Sequence, residues 1–261
     1  MEVHHHAHLA SGETHTSGKK WTHYFWEFLM LFLAVFCGFL AEYQLEHTIE
    51  HQREKKFINS LFGDVTLDTT ALSQIYELRN SRESMLDSLT TLLNSPDRDL
   101  HLNQIYFFAR HIQRLFPMNF TYNDGTIQQL KNSGNLRLIR NRKAAEAIIE
   151  YDAAVRDMEI IEEREYQYLY LCLPYMYKIF DGLVFEVMED SASKVYPPPG
   201  TVRLLRSADA TIAEFNAALF SLKIANFANR RRTKILIAEG EKLLTILQQE
   251  YHLSERTPLE K

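Results

Sequence analysis

The sequence is short of the residues that interrupt helices. Only 9 glycines and 7 prolines occur among 261 residues, and three of the prolines are consecutive, Pro197 to Pro199. Because glycine and proline are the usual helix terminators, their scarcity predicts few turns between long helices. The sequence also shows no β-hairpin signature and no internal repeat. These absences indicate an all-α protein.

Cysteine and excess charge are scarce too. Cys37 lies in an apolar run and Cys172 in a predicted helix, so neither a disulfide framework nor a cysteine-based metal site is expected. The formal net charge of −5 gives no nucleic-acid signature. The chain has no glycine-rich phosphate loop, nucleophile elbow, kinase motifs or zinc-finger spacing. We therefore expect no cofactor, no nucleic-acid partner and no catalytic activity.

One long apolar stretch stands out, from Trp21 to Tyr43. Residues 28–41 contain no charged or strongly polar side chain, and aromatic residues lie at both ends of the stretch. Twenty helical residues at about 1.5 Å each match a bilayer core of about 30 Å. A buried core helix remains an alternative, because the uncharged run is short and Glu27 lies inside the stretch. A cleaved signal peptide is another, although residues 37–43 make a poor cleavage site. The favoured prediction is one transmembrane helix.

The rest of the chain is predicted to form a bundle. We expect a disordered, histidine-rich tail over residues 1–20, the span over 21–43, a bundle domain over 44–252 and a flexible tail over 253–261. Apolar residues recur at three- and four-residue steps, as in amphipathic helices. Few breaks and short connections predict an elongated antiparallel bundle of about four long helices that continues from the transmembrane helix.

Capping residues and prolines predict where these helices begin and end. Ser, Thr and Asn are favoured at helix N-termini, and proline is favoured in the first turn. The expected helices are Glu42–Leu93, Pro96–Phe116 after a Ser95 cap, a short helix capped by Thr126, a long helix from Asn135 to Glu189 kinked at Pro174, and Thr201–Tyr251.

Several polar residues lie on or beside the predicted apolar stripes. Buried polar groups must be paired, and such pairs more often fix the register of a bundle than line a ligand site. The polar residues are Asp68, Arg79, Asp152, Asn226 and Asn229, and the apolar residues expected to face inward include Leu183, Val187, Leu205 and Ala208.

Four stretches are distinctive in combination: the opening MEVHHH, the span WEFLMLFLAVFCGFLAE, SGNLRLI at residues 133–139 and IIEY at residues 148–151. Together they resemble a family of uncharacterised bacterial membrane proteins with one N-terminal span and a helical domain. The resemblance covers most of the chain. It implies this architecture in a bacterial inner membrane, and it implies no mechanism, because the family carries no assigned activity.

A five-residue stretch beyond the span has the spacing of a zinc site. His47 and His51 lie one helical turn apart with Glu50 between them, which is the H-x-x-E-H pattern. A catalytic zinc also needs a third protein ligand and a dry cavity. A helix just outside the membrane is a poor place for such a cavity. The three residues are therefore weak metal candidates, and a zinc metalloenzyme is the second alternative function.

Two basic clusters are candidate contact sites. Arg137, Arg140, Arg142 and Lys143 are predicted to fall in the first two turns of a helix, where positive charge opposes the helix dipole. We expect them to dock on the acidic residues near the span or on anionic lipid headgroups, with a solvated helix start as the alternative. The second cluster, Arg230, Arg231 and Arg232, is a partner or phosphate candidate, although three consecutive arginines point round a helix and most must face solvent.

Small residues in the span suggest helix pairing. Ala34 and Gly38 form a small-xxx-small pair, with Ala41 nearby, so two copies of the helix could approach closely in lipid. We expect homodimerisation through this face, or simply an ordinary span.

Charges beside the span bear on its orientation. Lys19 and Lys20 precede it, whereas no Lys or Arg follows Tyr43 before Arg53, which favours a bundle on the extracytoplasmic side. The basic residues at 53–56 and a membrane-facing cluster at 137–143 favour the opposite side.

The function expected from these features is interaction or assembly. A single-span protein would present a helical bundle to an unidentified protein partner, with the lipid bilayer as its other partner. The first alternative is a sensor-like, ligand-binding bundle that signals through a partner.

Overall fold

The computed structural model describes residues 21–114 and 120–253. These residues form six α-helices and no strand: α1 (Trp21–Leu93), α2 (Leu102–Arg114), α3 (Gly125–Asn132), α4 (Arg142–Ile179), α5 (Gly182–Glu186) and α6 (Asp209–Tyr251). The all-α prediction is confirmed. The predicted tail at 1–20, the predicted break at Pro117 and residues 254–261 lie outside the described residues.

The chain divides into two compact units, residues 1–52 and 53–261. The described part of the first unit is the helical stretch 21–52 alone. Among the described residues, the second unit contains the rest of α1 and all the other helices. The predicted domain boundary was nine residues earlier, after Tyr43.

Contacts between the long helices give their directions. On α1 and α4, Asp68 contacts Tyr151 and Arg79 contacts Glu162, so residue numbers rise together and these helices are parallel. The α6 helix runs antiparallel to α4, because its ion pairs join Lys242 to Glu150 and Arg232 to Asp157. An up-down-up-down order therefore needs a return leg between α1 and α4.

That return leg consists of two short helices rather than one long one. The α2 helix has 13 residues and the α3 helix has 8. Instead of starting at Pro96, the second predicted helix begins with a 3-10 turn at Arg98–His101 and becomes α-helical at Leu102. Thr126 does not cap α3 but lies inside it, and its hydroxyl donates a hydrogen bond to Asp64 Oδ2 at 2.5 Å.

The helices enclose two separate apolar clusters, because the inward residues of each long helix are apolar in two blocks. The first apolar cluster includes Ile58, Leu61, Val65 and Leu72 of α1, Ile127 and Leu130 of α3, Ile148, Tyr151 and Val155 of α4, and Leu236, Leu243 and Leu247 of α6. The second apolar cluster includes Leu86, Leu89 and Leu93 of α1, Ile105 and Tyr106 of α2, Leu169, Cys172 and Met176 of α4, and Phe215, Leu219 and Leu222 of α6.

The helix ends differ from the prediction where tertiary contacts decide them. The cap of α4 is Asn141, not Asn135, and its side chain accepts a hydrogen bond from the Ala144 N–H at 3.1 Å. Asn135 instead starts a 3-10 turn. The α4 helix contains Pro174 and ends at Ile179, ten residues earlier than predicted.

The final helix begins at Asp209 rather than Thr201. Before it, residues 201–208 have no regular secondary structure, and the Leu205 N–H donates to the Ile179 carbonyl at 2.8 Å. Phe180, Phe185 and Val202 are buried there. The inward positions predicted by extending the helices are therefore wrong, since Leu183, Val187, Leu205 and Ala208 are all exposed.

A buried charged layer and the candidate contact surfaces

Between the two apolar clusters, the inward positions of all three long helices are polar. Arg79 and Arg82 of α1 have no exposed surface, and Glu162 and Glu165 of α4 are buried beside them. The α6 helix contributes polar residues that also have no exposed surface. Together these side chains form what we call the charged layer: Arg79, Arg82, Glu162, Glu165, Asn226, Asn229 and Thr233.

Glu165 is the centre of the charged layer. Its Oε2 lies 2.6 Å from Nη1 of Arg79, and its Oε1 forms an ion pair with Nη1 of Arg82. Glu162 lies farther away, with Oε1 3.4 Å from Nη2 of Arg79. Two guanidinium groups thus face two carboxylates, so the layer is neutral when all four are ionised. Charges this deeply buried require such pairing.

The asparagines of α6 complete the connections between helices. The Asn226 side-chain amide donates to the Arg79 carbonyl at 3.0 Å, and that of Asn229 donates to Oε2 of Glu165. The charged layer therefore links α1, α4 and α6 at one level. Because each bond needs one particular pairing of residues, a shift of any helix along its axis would leave buried charges unpaired.

Burial shifts the protonation equilibria of the layer. It raises the pKa of Glu162 to about 7, an effect that the neighbouring Arg79 opposes. It lowers the pKa of Arg82 to about 10, although Glu165 acts in the other direction. Both shifts have the same cause, which is the cost of keeping a charge away from water. Burial therefore favours the protonated form of Glu162 and the neutral form of Arg82 relative to the same groups in water.

Part of this layer is predictable from the sequence. All five polar residues expected on or beside the apolar stripes are buried, and Arg79, Asn226 and Asn229 belong to the layer. The burial of Arg82, Glu162 and Glu165 was not predicted. A signal was present, because Val155, Met158, Glu162, Glu165 and Leu169 continue one three-and-four spacing along α4.

A second polar group lies inside the first apolar cluster. Asp68 of α1 accepts a hydrogen bond from the Tyr151 hydroxyl at 2.9 Å. It also accepts one from the Asn123 N–H at 3.0 Å and one from the Asn123 side-chain amide at 2.7 Å. Burial raises the pKa of Asp68, and the bonds from Asn123 oppose that rise. This carboxyl group joins the segment before α3 to α1 and α4.

Gly240 allows α6 to approach α1 closely. A Cβ atom built on this glycine would lie 2.6 Å from Cγ2 of Thr69 and 3.4 Å from Cε2 of Tyr151. Real Cβ atoms do not come that close to another carbon, so a larger residue would push the helices apart. The glycine is therefore required by packing rather than by backbone conformation.

The first basic cluster does not sit as predicted. Arg137 lies in the 3-10 turn and Arg140 lies between that turn and α4, so only Arg142 and Lys143 fall in the first helical turn. Arg142 pairs with Glu146 at 2.7 Å. Lys143 pairs with Glu250 of α6 at 3.1 Å, and the Arg140 N–H donates to Glu54 at 2.8 Å. Acidic partners thus come from α4 itself, α6 and α1.

Two arginines of the second basic cluster contact neighbouring side chains, and the third is exposed. Arg230 packs its guanidinium over the Phe227 ring at 5.3 Å and lies 3.3 Å from Glu83 of α1. Arg232 pairs with Asp157 of α4 at 3.5 Å. Arg231 is exposed between them. This is the fan of directions expected for consecutive residues on a helix.

The H-x-x-E-H residues lie on exposed or half-exposed positions of α1. His47 Nε2 is 2.7 Å from the Tyr43 hydroxyl, within the same helix. Among residues 21–114 and 120–253, no group of three or more His, Cys, Asp and Glu side chains is arranged to hold a metal ion. The stretch His47–His51 is therefore not part of a metal-holding group within those residues.

The apolar stretch of the first unit is helical throughout, and none of its side chains is buried. Residues 21–45 include no buried side chain, and their large apolar residues are exposed by 42% or more, apart from one half-buried position. The helix is long and apolar enough to cross a membrane. Ala34, Gly38 and Ala41 are also exposed, and no atom lies within 4 Å of a Cβ built on Gly38.

No protein-family model, curated protein or solved structure matches this chain.

Proposed function

We propose that this protein is anchored in a membrane by residues 21–43 and that its bundle is an interaction and assembly module. The main evidence for the anchor is an apolar helix in which no side chain of residues 21–45 is buried. Leaving so many large apolar side chains in water is costly, at about 25 cal/mol per Å² of apolar surface. A lipid bilayer removes that cost and accepts an α-helix, because the helix satisfies its own backbone hydrogen bonds.

The arrangement of side chains around this helix also supports a membrane anchor. Aromatic residues recur at three- and four-residue steps, and the rings of Phe28, Phe32 and Phe36 stack in sequence at 6.3 and 5.8 Å. Trp21 and Tyr43 lie at the two ends of the stretch, where aromatic side chains prefer the interface with headgroups.

Membrane fractionation tests the anchor. The full-length chain should remain with membranes after washing with high salt or alkaline carbonate. Replacing Leu31 and Val35 with Arg should release it, because each central Arg costs about 2.5 to 3.5 kcal/mol on insertion. The control replaces Leu67 and Leu78, two exposed leucines of the bundle, with Arg and should leave the protein in the membrane. A soluble wild-type chain would refute the anchor.

An exposed stripe on α6 is the best candidate for the interaction surface of the bundle. Phe220, Ile224 and Phe227 follow one another at helical spacing and are exposed by 63%, 53% and 50%. Exposed clusters of large apolar residues are typical of protein contact sites. The stripe is opposite the buried face of α6, so changing it should leave the core intact.

Affinity capture from membranes tests this assignment. We expect the wild-type protein to retain a specific partner. A variant with Phe220 and Ile224 changed to Ser should capture at least about tenfold less of that partner. The control is Ile149→Ser with Ile160→Ser, which changes two exposed apolar residues of α4 instead. Equal retention by both variants would exclude the α6 stripe and leave the anchor unaffected.

Pairing of two spans is part of the proposed assembly. Ala34, Gly38 and Ala41 lie on the face of the helix opposite the stacked aromatic rings, so the small face of one copy can meet that of another. Cross-linking in membranes should detect a dimer that Gly38→Ile weakens. Phe32→Leu, on the aromatic face, is the matched control and should leave the dimer unchanged.

We also propose that the bundle lies on the extracytoplasmic side of a bacterial inner membrane. Lys19 and Lys20, which precede the span, support this side of the membrane, and the family resemblance supports a bacterial inner membrane. Protease added to intact spheroplasts should then digest the bundle, whereas a protected bundle would reverse the orientation.

A ligand-binding sensor is the second candidate, and one groove favours it. The groove has a volume of about 660 Å³ between α1 and α2 and is lined by Leu92, Phe107, Phe108 and Pro197, among others. Small apolar molecules suit such walls. A thermal-shift screen in detergent should find stabilising compounds if the groove is a site, and Phe108→Ala should abolish their effect.

A further inference from the structure

One end of the second unit brings together basic residues from two distant parts of the chain. We call the Lys and Arg residues within 53–56 and 137–143 the basic end. These two stretches contain seven basic residues, all exposed, and one acid, the buried Glu54. They meet because Oε1 of Glu54 accepts a hydrogen bond from the Arg140 N–H at 2.8 Å. The Tyr251 hydroxyl donates to the same oxygen at 2.7 Å, so the last turn of α6 lies there too.

Acidic side chains neutralise the basic end only in part. Arg142 pairs with Glu146, but its side chain stays 90% exposed. Lys143 pairs with Glu250, but its side chain stays 76% exposed. Exposed ion pairs of this kind add little stability, so their cations can exchange one anion for another. Four more cations form no ion pair within residues 21–114 and 120–253: Arg53, Lys55, Lys56 and Arg137.

The backbone adds positive charge at the same place. The α4 helix begins at Arg142 and has 38 residues, so the partial positive charge of its N-terminus lies within the basic end. Side-chain cations at this position repel that charge, whereas a bound anion would be attracted by both. Arginine also pairs well with phosphate, because its guanidinium can donate two parallel hydrogen bonds. The chemistry of the basic end therefore favours a phosphate-bearing anion.

A polar cavity opens beside the basic end. It has a volume of about 520 Å³, and one wall is Phe57 of α1, one helical turn after Arg53. The other lining residues come from α3 and the turn that follows it: Gln128, Gln129, Asn132, Ser133 and Asn135. Side-chain amides both donate and accept hydrogen bonds, so they suit hydroxyl groups as well as phosphate oxygens. The cavity therefore matches a phosphoglycerol headgroup better than an acyl chain.

Covalent length keeps the basic end within reach of a bilayer that holds the span. Nine residues, 44–52, separate the proposed span from Arg53. Even fully extended, a connection of this length covers only about 35 Å. This limit applies to every arrangement of the two units. Clusters of basic residues next to a span are attracted to anionic lipids.

We propose that the basic end binds the phosphate groups of anionic phospholipids, and that the polar cavity takes a phosphatidylglycerol headgroup. The inference rests on the proposed anchor, because the span brings lipid within reach, and it applies on either side of the membrane. An acidic protein would meet the same charges, but it would have to find them by diffusion. Headgroups are instead held nearby at high effective concentration, which favours lipid. Binding would make the contact between the bundle and the membrane surface depend on lipid composition.

Lipid titration of the full-length chain in neutral detergent micelles tests this proposal. Phosphatidylglycerol and, separately, phosphatidylcholine would be added, and binding would be followed through the melting temperature of the bundle. Because only phosphatidylglycerol has a net negative charge, we expect it to reach half-maximal stabilisation at a mole fraction at least about tenfold lower. This preference should disappear in about 1 M salt, where the Debye length is about 3 Å.

A neutral variant locates the site. Lys55→Gln, Lys56→Gln and Arg137→Gln together remove three cations that form no ion pair with the described residues. This variant should melt at the wild-type temperature without lipid, because none of these side chains is buried. It should need at least about tenfold more phosphatidylglycerol for half-maximal stabilisation.

The matched control removes the same charge elsewhere. Arg164→Gln, Arg231→Gln and Lys234→Gln together change exposed positions of α4 and α6 and should keep the wild-type titration. Equal loss in variant and control would overturn the proposal, because net charge would then explain the binding.

Three results in the wild type would overturn the proposal without any variant. Equal mole fractions for the two lipids would exclude a preference for anionic headgroups. A comparable shift with inorganic phosphate would assign the basic end to a soluble anion, and stronger stabilisation by polyglutamate would assign it to an acidic protein. Membrane fractionation tests the anchor separately. A chain that stays in the membrane but does not distinguish the two lipids would therefore overturn this proposal alone.

Discussion

The charged layer and the two apolar clusters on either side of it occupy the same faces of the same three helices, yet they contribute differently. A fully buried leucine stabilises a fold by about 1.5 to 3 kcal/mol whichever apolar neighbours it meets. A buried ion pair returns little net stability, because desolvation of both charges offsets their attraction. This difference indicates that the apolar clusters provide most of the stability, whereas the charged layer selects one alignment of α1, α4 and α6 along their axes.

The alignment matters because apolar packing alone tolerates sliding. Leucines at three- and four-residue steps can interdigitate again after a helix moves by one turn. The same movement would place Arg79 and Arg82 against apolar side chains. The charged layer makes that alternative costly and thereby selects one register, as single buried polar residues do in coiled coils.

Removing the central acid should cause the largest loss. In Glu165→Ala, two buried guanidinium groups would share the single distant carboxylate of Glu162. We expect the free energy of unfolding to fall by about 3 to 5 kcal/mol, measured by urea denaturation in detergent. Glu163→Ala, at the exposed neighbouring position, should change it by less than about 0.5 kcal/mol. Similar small changes in both variants would mean that the layer is dispensable.

Cavities on the two sides of the layer should show whether it couples the clusters. Leu61→Ala creates a cavity in the first apolar cluster and Leu89→Ala one in the second. Each should cost about 2 to 5 kcal/mol. Because α1, α4 and α6 run through the layer without a break, we expect both variants to shift one common unfolding transition. Two separate transitions would show that the layer divides the bundle into independent parts. Leu78→Ala, at an exposed site, is the control.

Gly240→Ala tests how tightly the first apolar cluster is packed. The added methyl group would collide with Cγ2 of Thr69, so we expect a loss of about 1 to 3 kcal/mol in unfolding free energy. Adding Thr69→Ser removes that methyl group and should restore most of the stability. Gly63→Ala, where no atom lies within 4 Å of the new Cβ, should be neutral or slightly stabilising. A destabilised Gly63→Ala would show that helical glycines matter here for another reason.

The smallest expected effect is a pH dependence of the free energy of unfolding that arises from the charged layer. Burial raises the pKa of Glu162 in the folded state to about 7, so the folded state holds this proton more tightly than the unfolded state does. Stability from this group is therefore greatest at low pH and falls as pH rises toward about 7, by on the order of 1 kcal/mol. Denaturation at several pH values should show the fall in wild type and not in Glu162→Gln. The prediction would be contradicted if the stability of the wild type, but not of Glu162→Gln, rose over this pH range.

Two features of this protein depend on contacts that its local sequence does not reveal. Glu162 and Glu165 continue the apolar spacing of α4, but they lie in the run Glu-Glu-Arg-Glu, which looks like a solvated helix face. Their burial depends on Arg79 and Arg82, more than 75 residues earlier in the chain. The cap at Asn141 was missed for a related reason, because Asn135 satisfies the same local rule and only the docking of the following turn distinguishes them.

Local chemistry by itself determined much of this protein. The scarcity of glycine and proline determined that it is helical, the uninterrupted run to Leu93 determined the extent of α1, and the apolar stretch determined where a membrane could be crossed. The tertiary structure alone decided which charges are buried, how the return leg divides into α2 and α3, and where α6 begins. Helix formation and hydropathy depend on neighbours within a few residues. Burial and pairing of a charge depend on side chains that only folding brings within 4 Å.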